Sequence, residues 1–437
     1  MKKLMEALGI TDIEELFEDI PKEVRRSDFS LPKGKGEMEV ELEIKDILKK
    51  NASFFDMPSF IGGGIKPHYV PPAVQHILSR SEFYTSYTPY QAEASQGMLQ
   101  ALFEYQSIVC ELTGMDVANI SMYDAATSLG EAARMAKRIT KKRDFIIPYN
   151  ISWEKKSVLK NYVKYAGMKV KEVKYADDGR IDVSAFRNAI GNETAGIYIE
   201  NPNFFGIIEK MEEINDLKEN GLLIVGVDPL SLSLLKPPGD YGADIVIGDG
   251  WFGNPMNFGG PRLGVFSCRK EFMRKMPGKI IGATKDMDGK RAFCMTLQTR
   301  EQHIRRGKAT SNICSNEALC CIAFLAYTTI LGKDGLKKLA IKNMENARYA
   351  QKKLASINFS FPFSNDFFNE FVAISPIDAT HLNEHLLKKG IHGALLLEKQ
   401  FPELKNALLY GITEMHTHEI IDRMIKAIKE IMEVENV

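Results

Sequence analysis

The run LLIVGVD at 222–228, followed directly by Pro229, is the stretch on which the fold turns. An apolar, β-rich run that ends in an acid and a proline reads as a strand delivering a carboxylate to a loop. Five more runs of the same kind lie between Asn119 and Phe266: DFIIPY from 144, MKVKEV from 168, AGIYIE from 195, ADIVI from 243 and LGVFS from 263. Amphipathic stretches separate them. Strand and helix alternating at this spacing imply parallel crossovers, hence a sheet between helices. Ligands of such sheets sit at the carboxyl ends of the strands, and Asp228 stands at one of those ends.

Outward from this α/β region the pattern changes. On the amino-terminal side, Met98, Leu102, Tyr105, Val109 and Leu112 mark one apolar face of a helix near Ser95 to Leu112, with Gly114 as its stop. Met1 to about Lys50 has helical periodicity broken by Pro21, Pro32, Gly34 and Gly36, and reads as a helical arm. On the carboxyl-terminal side, helices are expected at Asn316 to Leu331 and Leu336 to Leu354. Strands in FFNEFVAIS from 367 and LLYGI from 408, with helices near 380 and 418, suggest a smaller α+β domain. The expected division is 1–115 for the arm and interface segment, 116–315 for the large α/β domain, and 316–437 for the linking helices and small domain.

Composition narrows the function. The 437 residues are 44% apolar and 26% charged, ordinary values for a globular chain. Fifty-seven basic residues balance 57 acidic ones, so nothing global would hold the chain on nucleic acid or an acidic membrane. The apolar stretch from Ala318 to Leu331 is shorter than the roughly 20 residues a membrane span needs and reads as a buried helix. Acidic residues from Glu6 onward interrupt any signal-like core, so a cytoplasmic location is expected. The six cysteines form no C-x-x-C pair, and H-x-x-E-H at 381–385 has no convincing third ligand, so no metal site is expected.

Several places could carry chemistry, each with a plainer reading beside it. Asp228 could hold a protonated heterocyclic nitrogen, as pyridoxal phosphate enzymes require, or simply start a loop. AATSLGE at 125–131 places Thr127 and Ser128 at a helix entrance, where Ser128 and Glu131 fit a capping box; exposed amides there could also take a phosphate. YTSYTPYQ at 84–91 clusters Tyr84, Tyr87 and Tyr90 as hydroxyl donors or as aromatic packing. TREQHIRRGKATSN at 299–312 gathers Arg300, Arg305, Arg306 and Lys308, an anion site or a solvated basic face. Gly62 to Gly64 do not form a dinucleotide fingerprint. From Asp240 to Arg269 there is no lysine, although a pyridoxal enzyme needs one to hold its cofactor as a Schiff base.

The chain resembles the glycine-cleavage P-protein family, in its separate amino-terminal polypeptide form. The resemblance runs through LFEDIPKE (16–23), FIGGGIKPHYVPP (60–72), YTPYQAEASQGMLQALFEYQ (87–106), NISMYD (119–124) and NPNFFG (201–206). It continues through DPLSLSLLKPPGDYGADIVIGDG (228–250), LQTREQHIRRGKATSNIC (297–314) and FFNEF (367–371). The resemblance implies a fold-type I pyridoxal-enzyme-like large domain with a smaller C-terminal α+β domain. It also implies a glycine dehydrogenase (aminomethyl-transferring) active only as a complex, with pyridoxal phosphate held covalently by the partner, subunit 2. Glycine would lose its carboxylate as carbon dioxide, and the aminomethyl group would pass to the lipoyl disulfide of the H-protein.

On this reading no residue of the chain is a certain catalytic group. Asp228, with Thr127 and Ser128, would be a vestige of a cofactor site. Tyr87, Tyr90 and Gln91 of YTPYQ, and Thr310 and Ser311 of ATSN, would reach the interface and the partner's pocket. The sequence departs from the family pattern at Ala125, Trp251 and Phe252, and bulk at 251 and 252 argues against a second, silent cofactor site. Two other readings stay open: a self-sufficient pyridoxal enzyme using Lys236 or Lys308, and a structural subunit that docks the H-protein. In isolation the chain could pair with itself.

Overall fold

The computed structural model describes every residue except 27–29, 215–216, 219–220, 258, 315, 364–365 and 435–437. The chain divides into two units, Met1–Ser53 and Phe54–Val437. The first consists of helical pieces, with α-helices at Lys2–Leu8 and Glu37–Leu48 and 3-10 turns at Ile13–Phe17 and Lys22–Val24. Local hydrogen bonds hold them: Asp12 and Glu15 form a capping box, and the Glu39 carboxylate accepts the Gly36 amide at 2.9 Å. None of these pieces buries a residue.

The second unit is organised by a seven-stranded sheet. Its strands are β1 (Val117–Ala118), β2 (Asp144–Pro148), β3 (Lys169–Val173), β4 (Thr194–Glu200), β5 (Leu222–Val227), β6 (Ile245–Asp249) and β7 (Gly264–Cys268), in the order β1-β7-β6-β5-β4-β2-β3. All six quoted runs form strands. β2 to β6 are parallel, as the alternation with helices requires, but β7 runs antiparallel to β6, and β1, antiparallel to β7, closes that edge in the same sense as β2 to β6. The reason is the connection: the glycine-rich loop after β6 returns the chain without a crossover helix. β5 is buried along all six residues, and each such aliphatic side chain contributes roughly 1.5–3 kcal/mol.

The helix Gln96–Thr113 ends one residue from the expected position at each side, with Gly114 left-handed at φ 67°. It docks on a hairpin that the sequence reading passed over, β8 (Ile280–Lys285) and β9 (Arg291–Thr296). Two glutamine amides hold it there. Gln106 exchanges hydrogen bonds with the Ile281 backbone at 2.9 and 3.0 Å, and Gln96 does the same with Phe293 at 2.8 and 2.9 Å. The two helices expected past Asn316 form one run, Ala318–Ala355, interrupted at Gly332 (φ 60°). The small sheet has the order β10-β12-β11, with β10 at Glu370–Ile374, β11 at Leu395–Leu396 and β12 at Ala407–Gly411, all antiparallel. The helices Ala379–Lys388 and His418–Val434 cover it.

Candidate functional site

Three acids stand at the carboxyl ends of three neighbouring parallel strands: Glu200 closes β4, Asp228 follows β5, and Asp249 closes β6. This is the edge where a doubly wound sheet takes its ligand. They line one cleft together with Gly63, Gly64, Lys66, Lys155, Trp251 and Glu370. Each acid is answered by a group of this chain.

Asp228 Oδ1 accepts from the Leu230 amide at 3.0 Å and from Trp251 Nε1 at 3.2 Å, while Oδ2 lies 3.8 Å from Lys66 Nζ. Lys66 is also 3.2 Å from Glu370 Oε2, and its side chain is 3% exposed. Burial opposes the charge on Lys66, but Glu370 and Asp228 outweigh it and push the ammonium pKa up. The other oxygen of Glu370 accepts from the Gly63 and Gly64 amides at 2.6 and 3.2 Å. Both glycines are left-handed (φ 95° and 105°), the conformation that lets two successive amides turn toward one oxygen.

Glu200 pairs with Lys155 at 2.5 Å and accepts from the Tyr198 hydroxyl at 2.7 Å. Burial and the Glu200 charge push the Tyr198 phenol well above its ordinary pKa, so it remains a donor. Burial also works against the Lys155 charge, and Glu200 reverses it. Asp249 takes the Ala125 amide at 2.9 Å with one oxygen and Arg262 at 2.6 Å with the other.

The helix Ala125–Thr140 starts here, and its cap is not the expected one. Asp124 is the N-cap, accepting from the Thr127 amide at 2.6 Å. Ser128 lies within the helix and donates to the Asp124 carbonyl at 2.8 Å, so Ser128 and Glu131 form no capping box. The cause is a shift of about one helical turn: a short acid precedes the small residues and claims the first free amides.

The arrangement does not fit pyridoxal phosphate. The acid that would face a ring nitrogen already faces Lys66 and the indole of Trp251. The Ala125 and Thr127 amides, where a phosphate would bind, are held by Asp249 and Asp124. Lys66 and Lys155, the lysines lining the cleft, are kept charged by their acids and are poor nucleophiles. Lys236 and Lys308 are exposed and outside the cleft lining.

The other expected site residues lie elsewhere. Tyr84, Tyr87 and Tyr90 are 70, 62 and 51% exposed, and Gln91 is exposed beside them. Tyr90 sets its ring edge-on to His303 at 6.3 Å, so the YTPYQ and TREQHIRRGKATSN segments meet. Partial burial, then the Glu301 charge, raises the Tyr90 phenol pKa. The Thr310 amide donates to the Arg300 carbonyl at 3.0 Å, and the Ser311 hydroxyl donates to Glu131 at 2.7 Å. Arg300 turns inward onto the carbonyls of Met276, Leu297 and Gly278, whereas Arg305, Arg306 and Lys308 face solvent. None of Tyr87, Tyr90, Gln91, Thr310 or Ser311 lines the Asp228 cleft.

The family model of the glycine cleavage system P-protein matches residues 1–428. The chain belongs to the glycine cleavage system P-protein family. It is 46% identical to a probable glycine dehydrogenase (decarboxylating) subunit 1 of Thermococcus onnurineus, over 98% of this chain and 97% of that one. A crystal structure of glycine decarboxylase (P-protein) in inhibitor-bound form superposes with a TM-score of 0.92 at 36% identity, covering 98% of this chain and 97% of the other. Glutamate decarboxylase of Lactobacillus brevis shares the fold alone, with a TM-score of 0.68 at 13% identity over 94 and 96% of the two chains. The fold is that of the fold-type I pyridoxal enzymes.

Within this P-protein-family chain, residue-by-residue reading had overlooked Lys66, Lys155, Glu200, Asp249 and Glu370. Signals existed. FIGGGIK, FFNEF and the second acid of ADIVIGD all sit in the strings that carry the family resemblance, and the structure brings the three together. His68 of the same segment pairs with Glu414 at 3.0 Å. Burial would raise the Glu414 carboxyl, but His68, the Tyr69 amide and Asn343 bring it down to about 2. Among the described residues, no group of three His, Cys, Asp or Glu is placed to hold a metal.

Proposed function

We propose that this chain is the subunit without the cofactor lysine in a two-chain glycine decarboxylase of the glycine cleavage system. Joined to subunit 2, which holds pyridoxal phosphate, it would decarboxylate glycine, release carbon dioxide and pass the aminomethyl group to the lipoyl group of the H-protein. The observation that carries this reading is the internally paired strand edge: the site that holds a cofactor in this fold is occupied by the chain's own ion pairs. The cofactor supplies an electron sink for decarboxylation when bound to the partner.

The contribution of this chain is then surface and shape. Active sites of fold-type I enzymes lie between subunits, and the exposed Tyr87, Tyr90 and Gln91, together with Thr310 and Ser311, would form the face offered to the partner's pocket. Tyr90, with its pKa raised, stays a neutral hydroxyl donor at physiological pH and can orient a carboxylate or hold a proton on its oxygen.

The test is reconstitution of the complex with Tyr87→Phe and Tyr90→Phe chains, measuring glycine decarboxylation together with assembly by size-exclusion chromatography. The proposal expects intact assembly and turnover reduced at least tenfold for one of the two. Unchanged turnover in both, with intact assembly, would favour a purely structural subunit.

A further inference from the structure

The cleft has an occupant built into the chain. We propose that Lys66 is a resident counter-cation that stands where the ring nitrogen of a pyridoxal cofactor would stand, turning a cofactor pocket into a closed ion-pair joint. The inference concerns this chain's own pocket and does not depend on what the partner holds.

The delivery of Lys66 argues for a purpose-built arrangement. Gly62, Gly63 and Gly64, a triplet with no dinucleotide role, wrap the Glu370 carboxylate. A Cβ at Gly62 would come within 2.7 Å of Leu409 in β12, and the two left-handed glycines give their amides to Glu370 Oε1. Lys66 then passes over Gly411, where the lysine stem occupies the room a side chain would need: a Cβ there would lie 3.1 Å from Lys66 Cγ. The ammonium arrives between Asp228 at the end of β5 and Glu370 in β10.

Two carboxylates around one cation at 3.2 and 3.8 Å, with a side chain 3% exposed, make a paired buried charge. Removing the cation would leave two acids facing each other, a costly state. The joint ties three separate parts of the sequence: the glycine segment, the large sheet and the small sheet. Asp228 in this chain is thus a partner for a cation of the protein, with its second oxygen held by Trp251 and Leu230.

The experiment is chemical rescue of the full-length chain. Lys66→Ala removes a three-carbon stem and its ammonium, leaving a propylammonium-sized space that reaches the two acids, so its thermal midpoint should drop by several degrees and recover by at least half in millimolar n-propylammonium chloride, with no recovery in sodium chloride of equal ionic strength. Lys66→Met keeps the stem without the charge and should be destabilised without recovery. Equal responses of the Ala variant, the Met variant and the unaltered chain to n-propylammonium would overturn the proposal. A second measurement needs no variant: mild acetylation of the native chain with an N-hydroxysuccinimide ester, mapped by mass spectrometry. Lys66 should react at least a hundredfold more slowly than the exposed Lys141. Comparable rates would equally overturn the assignment.

Discussion

His68 lies flat on Trp251, with ring centroids 3.5 Å apart and planes 9° from parallel, and the same indole donates to Asp228 at 3.2 Å. One side chain thereby holds the segment that carries Lys66 and the acid that Lys66 meets. Trp251→Phe keeps an aromatic face for His68 but removes the donor from a largely buried carboxylate. We expect a loss of about 1.5–3 kcal/mol in urea unfolding, the range for hydrogen bonds to charged groups. His68→Ala should cost stability through both the ring contact and Glu414.

Gly411 is the floor under Lys66. A methyl group there would stand 2.6 Å from the Ile61 carbonyl oxygen and 3.1 Å from Lys66 Cγ. Gly411→Ala should destabilise the chain by about 1–3 kcal/mol, as overpacking does. It should also speed Lys66 acetylation, because the clash lifts the segment that buries the amine. A variant with wild-type stability and wild-type Lys66 reactivity would show that the close approach is not needed.

Ser311 and Thr310 separate structure from surface. The Ser311 hydroxyl is the donor to Glu131, whose carboxyl is raised by burial. Ser311→Ala should lower the stability of the isolated chain by about 1–3 kcal/mol, the cost of an unsatisfied buried acceptor. Thr310 uses its backbone amide, so Thr310→Ala should leave the isolated chain's unfolding midpoint unchanged. Any effect of Thr310→Ala should surface in the reconstituted complex.

Glu209 predicts a pH dependence. It accepts from Asn203 at 2.7 Å and from the Ile181 amide, yet burial dominates and pushes its carboxyl from 4.5 up to about 7. A raised acid pKa means the folded state binds the proton more tightly. The resulting stability is fully present below about pH 4.5 and is lost as pH rises through about 7, a change on the order of 3 kcal/mol. Thermal melts of the Glu209→Gln chain across this window should lose that slope relative to the unaltered chain. Parallel profiles for the two would contradict the assignment.

The large sheet was legible because its strands are short apolar runs at regular spacing, so that LLIVGVD alone placed Asp228 at a ligand edge. The β8–β9 hairpin was not legible: it is held by Gln96 and Gln106, residues whose role appears only once the helix lies against it. The capping of Ala125–Thr140 was misplaced because Ser128 and Glu131 match the spacing of a box, while Asp124, one turn earlier, wins by reaching the first free amides. The cleft escaped residue-level reading for a different reason. Its charges come from positions 66, 155, 200, 228, 249 and 370, and no local pattern tells a buried lysine between two acids from a lysine in solvent.

On the proposed function this chain holds no cofactor of its own and acts through a partner that does. The measurement is the absorbance spectrum of the purified chain with pyridoxal phosphate, followed by borohydride reduction and mass mapping, first alone and then with subunit 2. The account predicts no specific pyridoxyl label on this chain, label on the partner, and glycine decarboxylation with the H-protein only when both subunits are present. Stoichiometric label on one lysine of this chain, with turnover in the absence of a partner, would contradict it.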